Sequence, residues 1–132
     1  MPDHFVSTRP LLDKLGVKPM ARVSVLAIND NSFMTLLRER TSDISNRPRK
    51  ESDIIFYEAD SEAELQKLES LKSYITQSGA IWVVSLKGKA AKIRDVQVIA
   101  AAKAAGLVDN KVVSFSETQT SLRLVIPKAW RK

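Results

Sequence analysis

The chain has 132 residues, 44% hydrophobic and 27% charged, which predicts one autonomously folding globular domain over 1–132 and excludes a disordered chain. Its formal charge of +6 favours anionic partners without specifying one, because the basic residues are dispersed. With no cysteine, no apolar run near the roughly twenty residues of a membrane span and no apolar segment in the first fifteen residues, disulfides, thiolate sites, a span and a secretory signal are excluded, and a cytoplasmic location is predicted.

A short helix is predicted first. Ser7 or Thr8 can cap it, Pro10 suits its first turn, Leu11, Leu12 and Leu15 form its apolar stripe, and Gly16 can end it. The run Arg22-Val23-Ser24-Val25-Leu26-Ala27-Ile28 is apolar on both parities and β-branched, the pattern of a strand buried on both faces. Asn29, Asp30, Asn31 and Ser32 are turn and capping residues, and Phe33, Leu36 and Leu37 fit a helix after them. Residues 41–52 are polar and contain Pro48, so an exposed loop is expected, with a short strand near Ile44.

A second buried strand, Asp53-Ile54-Ile55-Phe56-Tyr57, leads into Glu58, Ala59 and Asp60. Ser61 with Glu64 is a capping-box pair, opening a helix whose apolar face carries Leu65, Leu68, Leu71 and Ile75, with Gly79 just past its end. The strand Ala80-Ile81-Trp82-Val83-Val84-Ser85-Leu86 runs into the turn Lys87-Gly88-Lys89, and a helix over 93–105 ends at Gly106. Strands over 111–116 and 122–126 are joined by a link too short for a parallel crossover, so they form an antiparallel hairpin. This order predicts an α/β fold: a Rossmann-like three-layer sandwich on a mostly parallel sheet of about five strands.

Ligands of such sheets bind outside the carboxyl ends of the strands. That places a candidate pocket among Asn29, Asp30, Asn31, Ser32, Glu58, Asp60, Lys87, Gly88 and Lys89. His4 is the lone histidine and Ser85, Ser114 and Ser116 lack a histidine partner, so no catalytic residue and no metal site is assigned. Asp30, Glu58 and Asp60 could converge, although Asp30 and Asp60 also fit helix starts. Gly88 between two lysines lacks the rest of a phosphate-loop pattern. Arg47, Arg49, Lys50, Lys92 and Arg94 are candidate nucleic-acid contacts on charge alone.

From Asp53 onward the order resembles the second half of the S-adenosylmethionine-dependent methyltransferase fold, carried by Asp53 to Tyr57, the leucine-spaced helix, Ser78-Gly79-Ala80-Ile81-Trp82-Val83, and Ala105-Gly106-Leu107 before a terminal hairpin. More closely, Leu11-Leu12-Asp13-Lys14-Leu15-Gly16-Val17-Lys18-Pro19, Trp82-Val83-Val84-Ser85-Leu86-Lys87 and Gly106-Leu107-Val108-Asp109-Asn110-Lys111-Val112 are similar to a bacterial family of small proteins to which no reaction is assigned. The resemblance implies a fold and no activity. It also implies a glycine-rich cofactor loop after the first strand, where this chain has Ala27 to Ser32 without glycine, and an acidic residue after a second strand that is missing or vestigial here. Met20 stands where the related turns often have glycine.

No cofactor is therefore expected, and the sequence predicts a non-catalytic interaction or regulatory module on a degenerate methyltransferase-like scaffold. The alternatives are a protein binding a nucleotide-like or anionic ligand in the strand-end pocket, and weak nucleic-acid binding. With neighbouring strands absent, the strand from Arg22 to Ile28 becomes a sheet edge lacking protective charge, covered by the segment around Ile44, by the N-terminal helix, or by a second copy in a homodimer.

Overall fold

A computed structural model describes residues 10–132. The predicted caps Ser7 and Thr8, and His4, lie outside the described residues. A short helix α1 (Leu11–Lys14) follows Pro10 and closes with two reversed hydrogen bonds, from Gly16 N–H to Asp13 O and from Val17 N–H to Leu12 O. Gly16 takes φ +76°, the left-handed conformation this closure needs.

The chain then enters β1 (Val23–Leu26), turns into α2 (Asn31–Arg40) and forms the two-residue β2 (Ile44–Ser45). Next come β3 (Ser52–Glu58), α3 (Glu62–Leu65) and α4 (Leu68–Leu71), then β4 (Ile75–Leu86), α5 (Asp95–Ala104), β5 (Val108–Ser114) and β6 (Gln119–Val125). The six strands form one sheet in the order β2-β1-β3-β4-β6-β5. The first four are mutually parallel, and β6 is antiparallel to both β4 and β5. This is the predicted α/β sandwich, with one strand more than expected.

Alternation along the strands divides the core between the two faces. Leu65, Leu68 and Leu71 pack with Ile55, Ile81, Leu122 and Leu124 under α5. On the other face Leu12, Leu15, Phe33 and Leu37 pack with Phe56, Trp82 and Phe115. No helix among the described residues is long and apolar enough to cross a membrane.

Three expectations need correction. The helix after Ser61 is not continuous: α3 stops at Leu65, α4 follows, and a 3-10 turn at Lys72–Tyr74 leads into Ile75, which opens β4. Leucines spaced by three suit tightened turns, which hold residues i and i+3 in line, better than a regular helix. Gly79 belongs to β4 rather than to a helix end. A Cβ there would lie 2.9 Å from the backbone oxygen of Asp53, so glycine permits the close pairing with β3.

The strand from Arg22 to Ile28 is also not the outermost strand: of the three covers expected for it, the segment around Ile44 is the one formed. β1 pairs with β3 on one side and β2 on the other, with Val23 opposite Ile44 and Ser24 opposite Ser45. Polar anchors hold β2 there: Thr41 Oγ1 donates to Ala21 O at 2.7 Å, and Val23 N–H donates to Asp43 O at 2.9 Å. Asp43 receives Arg49 at 2.6 Å and Arg22 at 3.3 Å.

Burial acting alone would raise the pKa of Asp43, but hydrogen bonds from Arg49 and then Arg22 outweigh it and hold the carboxyl below its ordinary 3.8. A depressed folded value means the contribution is complete above the unfolded pKa and is lost as pH falls through the folded one. Carbon-detected NMR titration is accordingly expected to show Asp43 titrating below 3.8. Hydrogen exchange on the acid side of that step should show β2 opening before β3 and β4. Titration at or above the ordinary value would refute this anchor.

Candidate functional site

Because β1, β3 and β4 are parallel, their carboxyl ends meet at one edge of the sheet, and the predicted pocket residues are gathered there. Four of their side chains are engaged, each by the backbone or by a side chain outside the set. Asp30 Oδ1 accepts the Phe33 N–H at 3.0 Å and caps α2. Glu58 Oε1 accepts from Gln119 Nε2 at 3.0 Å, which ties β3 to β6 across β4. Asp60 Oδ1 accepts the Leu86 N–H at 2.9 Å, closing the end of β3 against the end of β4.

The capping pair forms with one change. Ser61 Oγ accepts the Glu64 N–H at 3.1 Å, whereas the Glu64 carboxylate takes the Asp60 N–H at 2.9 Å instead of that of Ser61. Lys87 Nζ donates to Ser114 Oγ at 2.7 Å, and its own N–H donates to Thr118 O. Asn29, Asn31, Ser32, Gly88 and Lys89 are exposed around this closed edge.

An S-adenosylmethionine cofactor does not fit these residues. Ala27 sits at φ +65°, a left-handed conformation that glycine adopts without strain and that a residue with a Cβ rarely takes. Met20, the other position where glycine was expected, likewise takes φ +70°. The end of β2, beside β1, continues into Asn46 and Arg47 and offers no carboxylate to ribose hydroxyls. Among the described residues no group of three or more histidine, aspartate or glutamate side chains could hold a metal ion.

The candidate nucleic-acid residues lie on opposite edges. Arg47, Arg49 and Lys50 precede the amino end of β3, where Arg49 is paired with Asp43 and Lys50 lies 4.6 Å from the Tyr74 ring centre while donating to Ser73 O. Lys92 and Arg94 follow the carboxyl end of β4 and are exposed. The seven-residue length of β3, roughly 23 Å, separates the two groups.

Three concavities are lined by none of the predicted pocket residues. A broad groove of about 880 Å³ runs between α3, α4 and α5. Toward the amino ends of the parallel strands are a cavity of about 370 Å³ and, adjoining it, one of about 220 Å³; both are lined by Leu15, Gly16 and Arg123. Burial, and secondarily the like charge of Arg131, pull the Arg123 pKa down from its ordinary value. Arg123 was not among the predicted site residues. Its signal in the sequence is a single charge inside Ser121-Leu122-Arg123-Leu124-Val125.

No family model and no curated protein sequence matches the chain. Solved structures do. A chain of the Haloferax volcanii complex containing the Trm112 methyltransferase activator superposes with a TM-score of 0.63 at 12% identity, over 89% of this chain and 86% of that one. A SAM-dependent methyltransferase from Aquifex aeolicus gives 0.59 at 13% identity over 88% of each chain. The mitomycin 7-O-methyltransferase MmcR gives 0.58 at 10% identity over 80% of this chain, which spans only 49% of that enzyme. Identities this low speak to architecture alone, and the architecture of this chain is a methyltransferase-like, Rossmann-type α/β fold.

Proposed function

We propose that the protein is a non-catalytic interaction or regulatory module on a methyltransferase-like scaffold. The observation that carries this reading is the closure of the strand carboxyl ends by the protein's own groups. Asp60 holds Leu86, Glu58 holds Gln119, and Ala27 replaces glycine at a left-handed position in the first loop. These bonds occupy the strand carboxyl ends, where ligands of this fold ordinarily bind. The interaction half of the proposal draws support from the Haloferax volcanii likeness, a fold of this type found in a complex with an activator protein.

Titration with S-adenosylmethionine and its demethylated product, followed by thermal unfolding, tests the reading. A ligand present at a hundred times its Kd adds about 2.7 kcal/mol to native stability, several degrees of Tm for a domain of this size. The expected result is no saturable rise in Tm at millimolar concentration of either compound. A saturable rise with either compound would replace the module with a cofactor-binding protein.

A further inference from the structure

Arg123 is placed unlike any other charged residue of the sheet. Its register partners are Trp82 on β4 and Lys111 on β5. Directly opposed residues of antiparallel strands share a face, so Arg123 and Lys111 set two positive charges side by side under α1, an arrangement that is destabilising by itself. Arg131 adds a third positive charge nearby. Lys111 is fixed over the crevice by donating to Lys14 O at 2.8 Å, and Lys14 and Lys18 bring further positive charge to the cavity walls.

No ion pair within the described residues neutralises Arg123, and it makes no side-chain hydrogen bond there. The acid lining the cavities, Asp53, lies beyond ion-pair distance and uses Oδ2 to accept the Arg22 N–H at 2.9 Å. The guanidinium is half-buried, and its five donors, which no protein acceptor fills, stay open to the cavities it lines. Such a group is explained when an exogenous anion completes it. The planar fork suits an oxyanion that can accept two parallel bonds.

The two cavities differ in character. The smaller is cationic, with Lys14, Lys111 and Arg123, whereas the larger adds Asp53, Thr76 and Ser78 beside apolar Pro19 and Met20. We infer that these cavities form a binding site for a small phosphorylated, hydroxyl-bearing compound, its phosphate on Arg123 and its hydroxyls toward Asp53, Thr76 and Ser78. The site lies toward the amino ends of the parallel strands, away from the edge where ligands of this fold ordinarily bind. It does not depend on the strand carboxyl ends being closed.

The test uses the full chain with inorganic phosphate, ribose 5-phosphate and uncharged ribose, titrated by amide-detected NMR. Both anions are expected to bind saturably below about 10 mM, to shift the amides of Gly16, Lys18 and Arg123, and to leave the 87–89 turn unmoved. Ribose alone should produce no saturable shift. Arg123→Gln should weaken both anions about tenfold or more, the scale of losing charge-assisted hydrogen bonds. Asp53→Asn should weaken ribose 5-phosphate and leave inorganic phosphate unchanged. Lys87→Ala should change neither affinity. Because Arg123→Gln removes an uncompensated charge, it is expected to retain or raise Tm, so lost binding cannot be ascribed to unfolding. The absence of saturable binding by either anion, equal affinity in Arg123→Gln, or shifts confined to the 87–89 turn would overturn the proposal. Binding of phosphate but not of ribose 5-phosphate would overturn the hydroxyl-bearing part.

Discussion

Trp82→Ala is expected to cost about 3–5 kcal/mol, the range for truncating a fully buried large aromatic side chain. Trp82 is fully buried at the centre of β4, between Phe56 of β3 and Arg123 of β6. Its indole N–H also donates to Leu15 O at 3.0 Å, which fastens the turn after α1 to the sheet. Truncation therefore leaves a cavity and an unpaired carbonyl together, and the second loss adds about 1 kcal/mol. Typical domains have only about 5–15 kcal/mol in total, so the variant should unfold at much lower urea. Trp82→Phe separates the two contributions, because it fills most of the volume and cannot make the hydrogen bond. Equilibrium urea unfolding followed by circular dichroism checks both. A loss below about 1 kcal/mol for Trp82→Ala would mean that α1 and its turn do not seal this face.

Phe33→Ala should be comparably damaging, at about 3–5 kcal/mol, for a different reason. Phe33 packs edge-on against Phe56 with ring centres 5.0 Å apart, and against Phe115 at 4.7 Å. One side chain of α2 thus joins the middle of β3 to the end of the β5 strand region. Aromatic pairs contribute roughly 0.5–1.5 kcal/mol beyond area burial, so the loss exceeds that of an aliphatic side chain of similar size. Since the Phe33 N–H is also the group capped by Asp30, the damage should spread first to 27–40. Hydrogen exchange on Phe33→Ala is expected to show that segment opening ahead of β3 and β4. Uniform loss of protection across the sheet would contradict the local role given to α2.

Much of this fold was legible because burial on both faces leaves a strong mark. The β-branched run around Val23 and the runs around Ile55 and Val83 name central strands without further help, and all three fall in the sheet's interior. The two-residue β2 was visible only as Ile44 in a polar stretch, because its placement depends on Thr41 and Asp43 meeting partners twenty or more residues away. The leucines at 65, 68 and 71 carried the right face but not the breaks, since apolar spacing records which side is buried more faithfully than how tightly the backbone turns.

The strand-end residues follow β1, β3 and β4 at one edge of the sheet, and their partners were not visible in the sequence. Glu58 and Gln119 are 61 residues apart, and only the order of strands in the sheet brings them within 3.0 Å. Arg123 escaped notice for a related reason. A charge in a strand ordinarily marks a solvent face, and it takes the layer formed by α1 and Leu15 to turn that position into the wall of a cavity.

The brevity of β2 has a consequence for how the molecule behaves in a crowded solution. An open strand edge is a template on which other chains can add, and long apolar edges lead to fibrils. On the β1 side of the sheet the outermost strand offers only two residues before the chain bends away through Arg47, Pro48 and Arg49. Proline has no N–H to give an incoming strand, and two arginines flank it with charge. The apolar β1, which left bare would be the most adhesive surface of the sheet, is thus kept from templated growth by a ledge too short to extend.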